Sequence, residues 1–331
     1  MPLLDIKNLT LEIESTQGWI KALDKVSLQL EGGEVRALVG ESGSGKSLIV
    51  KSIVGAIPEH WRITADRMSW KGQDLISMSS DARRRIMRED IAVIFQNPVN
   101  SLDPSASLGE QLMESIPDHL LDKGWFWQRA AQRKQIAVKL LHKVGIKEHS
   151  KYLQAYPSAL PDDICQKFMI ASALAASPKL LIADDPTRGM EVTTKVQILK
   201  LLTRLNKIRG LSILFVSHDL LAISNMANTM TVLYCGQTVE SGKMHQLRRR
   251  PLHPYTHALM ESAPSFRKDL PPKSPLATLD GTIPTLQHLP IGCRLGPRCP
   301  RAQRECVKVP EERRIHNHFY SCHFPLHRSL K

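Results

Sequence analysis

Gly40-Glu41-Ser42-Gly43-Ser44-Gly45-Lys46-Ser47 sets three glycines, a lysine and a terminal hydroxyl within eight residues. This G-x4-G-K-[ST] spacing is a phosphate cradle where it leaves a strand and opens a helix. Both conditions hold: the apolar run EVRALV (34–39) precedes it, and a helical pattern over 46–55 follows. Glycines let the backbone wrap an anion, so that successive N–H groups and the helix N-terminus face phosphate oxygens. Lys46 can then reach the β/γ-phosphates, and the Ser47 hydroxyl can ligate Mg2+. A second apolar run, Leu180-Leu-Ile-Ala, ends in the adjacent carboxylates Asp184 and Asp185. Asp184 is placed to hold Mg2+ through water, and Asp185 to polarise an attacking water. Two acids at a strand end also make an ordinary solvated turn, but the upstream cradle favours the chemistry. Gln96 follows IAVIF, and His218 follows SILFVS. Each is a polar residue at the exit of an apolar strand, the edge where α/β sheets bind ligands, or else a plain loop residue.

Four thiols form the other candidate. Cys293-x5-Cys299-x6-Cys306-x15-Cys322 lies among prolines that favour loops. Converging thiolates can hold a [4Fe–4S] cluster or tetrahedral zinc, although the paired C-x2-C knuckles of zinc ribbons are missing. Unligated, reduced cysteines are the alternative. Arg294, Arg298, Arg301 and Arg304 interleave with the thiols and would offset the anionic charge of a thiolate-bound cluster. Cys165 and Cys235 stand apart and read as core residues; His323, beside Cys322, is a spare ligand candidate.

The elements needed to position these residues can be read from the same pattern. Strands are expected at 3–13, 25–30, 34–39, 91–95, 180–183, 212–216 and 231–234, with a helix over 193–207. Between 98 and about 160 the pattern turns helical, with Ile136, Leu140, Leu141 and Val144 on one face. Strands alternating with helices imply an α/β fold with a mostly parallel sheet, an antiparallel edge and a helical insertion. The chain has 331 residues and a formal net charge of +13, with no run apolar enough to span a bilayer and no signal-peptide pattern. An intracellular, soluble protein is expected. The charge is uneven: residues 241–331 carry 16 Lys+Arg against 6 Asp+Glu, and 12 of the 21 prolines. That shift puts a domain boundary near Gly242, giving an expected phosphate-binding domain at 1–242, with its insertion at about 98–165, and a Cys/Pro-rich extension at 243–331. Taken alone, the surplus charge suggests an anionic partner.

The set GESGSGKS (40–47), FQNP (95–98), LLIADDP (180–186) and VSHDL (216–220), in that order, resembles an ABC-transporter ATPase subunit. YPSAL (156–160), HPYTHAL (253–259) and GTIPTLQHLPIGCRLGPRCP (281–300) resemble the oligopeptide/dipeptide group. The 189–207 stretch is similar to a branch of that group associated with antimicrobial-peptide resistance. The resemblance implies ATP and Mg2+, with Gln96 sensing the γ-phosphate and joining the Mg2+ site, and His218 contacting the γ-phosphate. It implies a second ATPase subunit, two transmembrane permease subunits and, indirectly, an extracytoplasmic binding protein. The location implied is the cytoplasmic face of the inner membrane. The resemblance also implies that the insertion receives a helix of the permease and that the four C-terminal cysteines carry an iron–sulfur cluster. An adenine-stacking aromatic is expected near the first strands, where Trp19 is the candidate. Nucleic acid is not expected as a partner, since no aromatic-interleaved basic stripe accompanies the charge.

Two departures from that family bear on catalysis. Its signature, LSGGQ or LSGGM, aligns with Leu160-Pro161-Asp162-Asp163-Ile164. Pro161 has no N–H to give a phosphate, and two carboxylates repel one. The aspartates suit a helix N-terminus, so that end is expected to be capped. Asp185 stands where the family has glutamate, one methylene longer. In such head-to-tail dimers each site joins one P-loop to the other subunit's signature, so both sites meet a defect of this chain. The expected function is the energy-coupling ATPase subunit of a peptide-type transporter within a heteromeric pair. The alternative is a nucleotide-binding regulatory subunit with little turnover.

Overall fold

The computed structural model describes residues 1–15, 18–262 and 279–327, apart from the side chains of 221 and 222. These residues form two compact units: Met1–Ser79 with Phe215–Lys331, and Ser80–Leu214.

The first unit begins with a long antiparallel hairpin, β1 (Leu4–Ser15) and β2 (Gly18–Leu30), paired from Leu4↔Leu30 to Ser15↔Gly18. Leu4, Ile6, Leu9 and Leu11 on β1 and Leu23, Val26, Leu28 and Leu30 on β2 are buried, which fixes the register, because a one-residue slip would expose them all. β4 (Arg62–Thr64) and β5 (Arg67–Trp70) pair with the other edge of β1, and β6 (Gln73–Asp74) pairs with β5. This sheet is the expected antiparallel subdomain. A second sheet runs through β3 (Val35–Val39), which lies parallel to β10 (Thr229–Tyr234). β10 turns back through Cys235–Gly236 into antiparallel β11 (Gln237–Lys243). From the tail, β13 (His318–Tyr320) pairs with β11, and β12 (Arg313–Ile315) with β13. Gly242, where composition puts a boundary, therefore lies inside a strand that the tail extends. Helix α1 (Lys46–Val54) follows β3, while α9 (Leu220–Ser224), α10 (Met244–Arg249) and α11 (Pro254–Glu261) complete the unit.

In the second unit β7 (Ile91–Ile94) lies parallel to β8 (Leu180–Asp184), with β9 (Ser212–Val216) on the other side of β8. β8 and β9 are buried at every position, as short apolar runs in a parallel sheet should be. Its helices are α2 (Ser80–Glu89), α3 (Pro98–Ser101), α4 (Leu108–Glu114), α5 (Phe126–Lys143), α6 (His149–Leu153), α7 (Asp162–Ala175) and α8 (Val192–Arg209). A Ser107/Glu110 capping box starts α4. α3, α4 and α5 pack on α7, and Ala137, Leu140, Leu141 and Val144 are the buried residues at that end of the α5 segment. The helical insertion is thus present, built around α7. Among the described residues no helix is long and apolar enough to cross a membrane.

Candidate functional site

The cradle sits in the first unit, between β3 and α1. Gly45 has φ +103° and is the N-cap of α1 with no side-chain cap bond, so only a glycine fits this turn without strain. A Cβ there would also lie 2.8 Å from Leu23 Cδ2. The loop is drawn together from inside. Lys46, 9% exposed, donates to the carbonyls of Gly40 (2.8 Å) and Glu41 (2.9 Å) and to Ser44 Oγ (3.4 Å). Gly236 N–H donates to the Ser44 carbonyl (2.8 Å), tying the loop to the β10–β11 turn. Ser42 and Gly43 are exposed, and Ser47 is half-buried on the first turn of α1. The Glu41 N–H donates to Tyr255 Oη (2.8 Å). A backbone donor already paired with a phenol is not offered to a phosphate.

His218 is exposed just after β9, and Ser217 before it donates its N–H to the Leu38 carbonyl (3.2 Å). Trp19 is 38% exposed, and the Arg62 guanidinium stacks 3.8 Å from its ring centroid. One face of the ring is thus covered by a cation–π partner.

In the second unit Gln96 is half-buried directly after β7. Asp184 ends β8 at 5% exposure, and Asp185 follows at 8%. Asp185 has φ +45°, a left-handed conformation that aspartate tolerates better than most residues. Its carbonyl accepts the Arg188 N–H (3.1 Å), closing a tight turn after the strand. Gln166, buried on α7, donates to the Pro186 carbonyl (3.0 Å) and ties the signature helix to that turn. Sequence reasoning missed this link, since a glutamine in an apolar helix carries no spacing signal.

The signature stretch enters α7 as Leu160, half-buried, then Pro161 as N-cap, with Asp162 and Asp163 in the first turn and Ile164 beyond. Capping differs from the expectation: no side chain caps this helix, and Pro161 instead offers its carbonyl to the N–H groups of Ile164 and Cys165. The aspartates contribute charge, and Asp163 pairs with Lys167 (3.5 Å). Cys165 is fully buried, and burial followed by the Asp162 and Asp163 charges raises its pKa. Cys235 is buried too, as expected of core thiols.

All four tail cysteines line one small cavity with His253, Leu295, Arg301 and His323. Gly292 makes their approach possible: it has φ +81°, and a Cβ there would fall 2.3 Å from the Val307 carbonyl carbon. With that clearance, Cys293 N–H reaches the Cys306 carbonyl at 2.9 Å. Burial is the main cause raising the thiol pKa of Cys293 and Cys299, and of Cys322 to about 11, with the neighbouring cysteines adding to it. Four thiols on one cavity suit a soft metal chemically. Yet among the described residues no three Cys, His, Asp or Glu side chains are arranged to hold a metal ion. His323 Nε2 bonds the Lys308 carbonyl (3.0 Å), so that nitrogen is engaged. The interleaved arginines are also placed otherwise than expected. Arg301 lines the cysteine cavity, but Arg294 donates to the Cys235 carbonyl and pairs with Asp24 (3.2 Å), and Arg298 pairs with Glu41.

Residues 23–188 match the family model described as ABC transporter, and residues 239–306 match the one described as oligopeptide/dipeptide transporter, C-terminal region. The chain is 53% identical to the peptide transport system ATP-binding protein SapD of Salmonella typhimurium, over 98% of each chain. It is 47% identical to SapD of Haemophilus influenzae, over 98% of this chain and 93% of the relative. Identity to the dipeptide transport ATP-binding protein DppD of Escherichia coli is 38%, over 98% of each. Among solved structures, a dimeric bacterial ABC transporter cassette matches with TM-score 0.65 and 25% identity, over 73% of this chain and 98% of that one. A post-hydrolysis state of that cassette bound to ADP and Pi matches with TM-score 0.62 and 25% identity.

Proposed function

The chain belongs to the ABC transporter ATP-binding subunits of the oligopeptide/dipeptide group, and from that premise we propose that it is half of a heteromeric ATPase pair with two unequal sites. It is an ATP-binding, energy-coupling subunit of a peptide transport system. In the proposed site the cradle Gly40–Ser47 binds the phosphates, with Lys46 on the β/γ-phosphates. Ser47, Asp184 and Gln96 would hold Mg2+, which screens phosphate charge. Asp185 orients and deprotonates the attacking water, and His218 contacts the γ-phosphate. The ATPase domain is proposed to span 1–242 and the extension 243–331. Of these, 16–17, 263–278 and 328–331 lie outside the described residues.

The observation that carries the asymmetry is the start of α7. A phosphate clamp needs N–H groups, a hydroxyl and a helix N-terminus open to an anion. Here Pro161 is the N-cap and Asp162 and Asp163 fill the first turn. Such an end opposes the γ-phosphate of a partner's nucleotide. The chain's own P-loop would work with Asp185, whose carboxylate is one methylene short of the family's glutamate. A displacement of about 1 Å can lower a rate roughly 100-fold. Single-turnover hydrolysis by the purified pair tests this reading: unequal rates are expected, with slow turnover at this chain's own P-loop. The same observation favours a second reading, in which the subunit binds ATP and regulates the transporter with little turnover of its own. Binding measured beside turnover separates the two.

The partners would be a second ATPase subunit and two permease subunits, with a binding protein beyond them, at the cytoplasmic face of the inner membrane. A role in resistance to antimicrobial peptides accords with the relatives' name as peptide transport proteins. The four cysteines are the candidate holders of a [4Fe–4S] cluster, with zinc as the other soft-metal choice; their shared cavity is the support. Absorption near 400 nm with stoichiometric iron in anaerobically purified protein is expected. Colourless protein without iron would count against it.

A further inference from the structure

Glu41 is the one carboxylate inside the phosphate cradle, and residues of the C-terminal region hold it. Arg298 Nη1 lies 3.1 and 3.3 Å from the two carboxylate oxygens. That arginine is only 8% exposed, against 33% for Glu41, and it is itself fixed by Tyr234 Oη (3.3 Å) and the carbonyls of Asp280 (3.0 Å) and Leu279 (3.4 Å). Tyr255, fully buried, accepts the Glu41 N–H at 2.8 Å and packs edge-on against Tyr234 with ring centroids 4.7 Å apart. The tyrosine is located in turn. Its N–H donates to Nδ1 of His253, the N-cap of α11. The backbone N–H groups of Leu252 and His253 donate to the buried carboxylate of Glu240, which also bonds His318 (2.6 Å). Burial pushes the His253 pKa down to about 4, against the raising effect of Glu240, so its ring is neutral and Nδ1 can accept. On its remaining side, the Glu41 carbonyl accepts from Lys46 (2.9 Å).

A bare carboxylate on a loop that wraps a triphosphate repels the ligand. Buried within reach of Glu41, Arg298 cancels that charge without exposing itself, and its fork and the Tyr255 phenol fix the first turn of the loop. We infer that Arg298 and Tyr255 are positioning residues of the phosphate cradle, so that the C-terminal region is a working part of the nucleotide site. Arg298 immediately precedes Cys299, and Arg294 immediately follows Cys293. Both arginines turn to the core, to Glu41 and to Asp24 with the Cys235 carbonyl, so the cysteine loop is anchored beside the cradle. The inference rests on the cradle binding ATP, and wild-type affinity is the control that separates failure of that reading from failure of this one.

Equilibrium binding of Mg·ATP to the full chain tests it through a sign that a purely structural role would not produce. Arg298→Gln uncovers the Glu41 charge and is expected to weaken binding about tenfold at low salt, less at high salt. Glu41→Gln introduced into that variant removes the uncovered charge and should recover most of the loss. Arg298→Lys, which keeps the charge but loses the Nε and Nη2 hydrogen bonds, should bind more tightly than Arg298→Gln. Wild-type affinity in Arg298→Gln overturns the inference, and so does a double variant as weak as Arg298→Gln, because loss through misfolding would not be rescued at Glu41. Should Arg298→Gln be insoluble, Tyr255→Phe is the independent arm. A severalfold loss is expected from it, and unchanged affinity overturns the proposal.

Discussion

Asp185 concentrates the catalytic question in one side chain. It is buried at the end of an apolar strand, with its backbone in the left-handed region and its carbonyl closing the turn. The backbone therefore fixes where the carboxylate starts, and chain length alone decides how far it reaches. Asp185→Glu should raise the single-turnover rate at this chain's own P-loop by roughly one to two orders of magnitude, read by quench-flow on the assembled pair. Asp185→Ala should leave Mg·ATP affinity largely intact, since the phosphates are held by the cradle. Gly292 is the corresponding residue in the tail. Alanine there places a Cβ 2.3 Å from backbone in a conformation that L-residues avoid. About 1–3 kcal/mol of stability should be lost, with faster thiol labelling of Cys293 and Cys306, measured by denaturation and by a thiol reagent.

At the scale of elements, the proposal of unequal sites rests on the start of α7. Replacing Pro161-Asp162-Asp163 by Ser-Gly-Gly would remove two charges and return an N–H to the start of α7. Turnover at the partner's P-loop should then rise, while ATP affinity at this chain's own P-loop stays as it was. The stability of α7 rests on its neighbours: Leu141 on α5 is fully buried in the helical layer, and Leu141→Ala should cost about 2–5 kcal/mol in chemical denaturation. These elements differ in how far the sequence discloses them. β8 and β9 are legible because each is a short, mostly apolar run of strand length, and α5 because Leu140, Leu141 and Val144 repeat at helical spacing. β11 is hidden, since Gln237, Thr238, Glu240 and Ser241 pair with β10, and Glu240 and Ser241 also with β13, while looking like surface residues. The cradle, Asp184 and Asp185 can be read from spacing. The Glu41–Arg298 pair cannot, because 257 residues separate its members. HPYTHAL and GCRLGPRCP stand out only by their resemblance to a family; geometry gives them their work, with His253 capping, Tyr255 on Glu41, and Arg294 and Arg298 on the core.

Across the whole molecule, the surplus charge of +13 takes on a different meaning. Most of it lies beyond residue 240, in the region that suggested an anionic partner. Part of that charge is internal: Arg294 and Arg298 are buried in pairs with Asp24 and Glu41, and neither is available to an outside anion. The tail is also continuous with the core through β13 on β11. The inferred role of Arg298 and Tyr255 would make the C-terminal region part of the nucleotide site, while the start of α7 carries two carboxylates in its first turn. The most direct measurement is single-turnover ATP hydrolysis by the purified heteromeric pair, resolved by site and repeated with Asp185→Glu. Slow hydrolysis at this chain's P-loop, accelerated by the glutamate, is the predicted result. Fast hydrolysis at both sites, unchanged by Asp185→Glu, would contradict it.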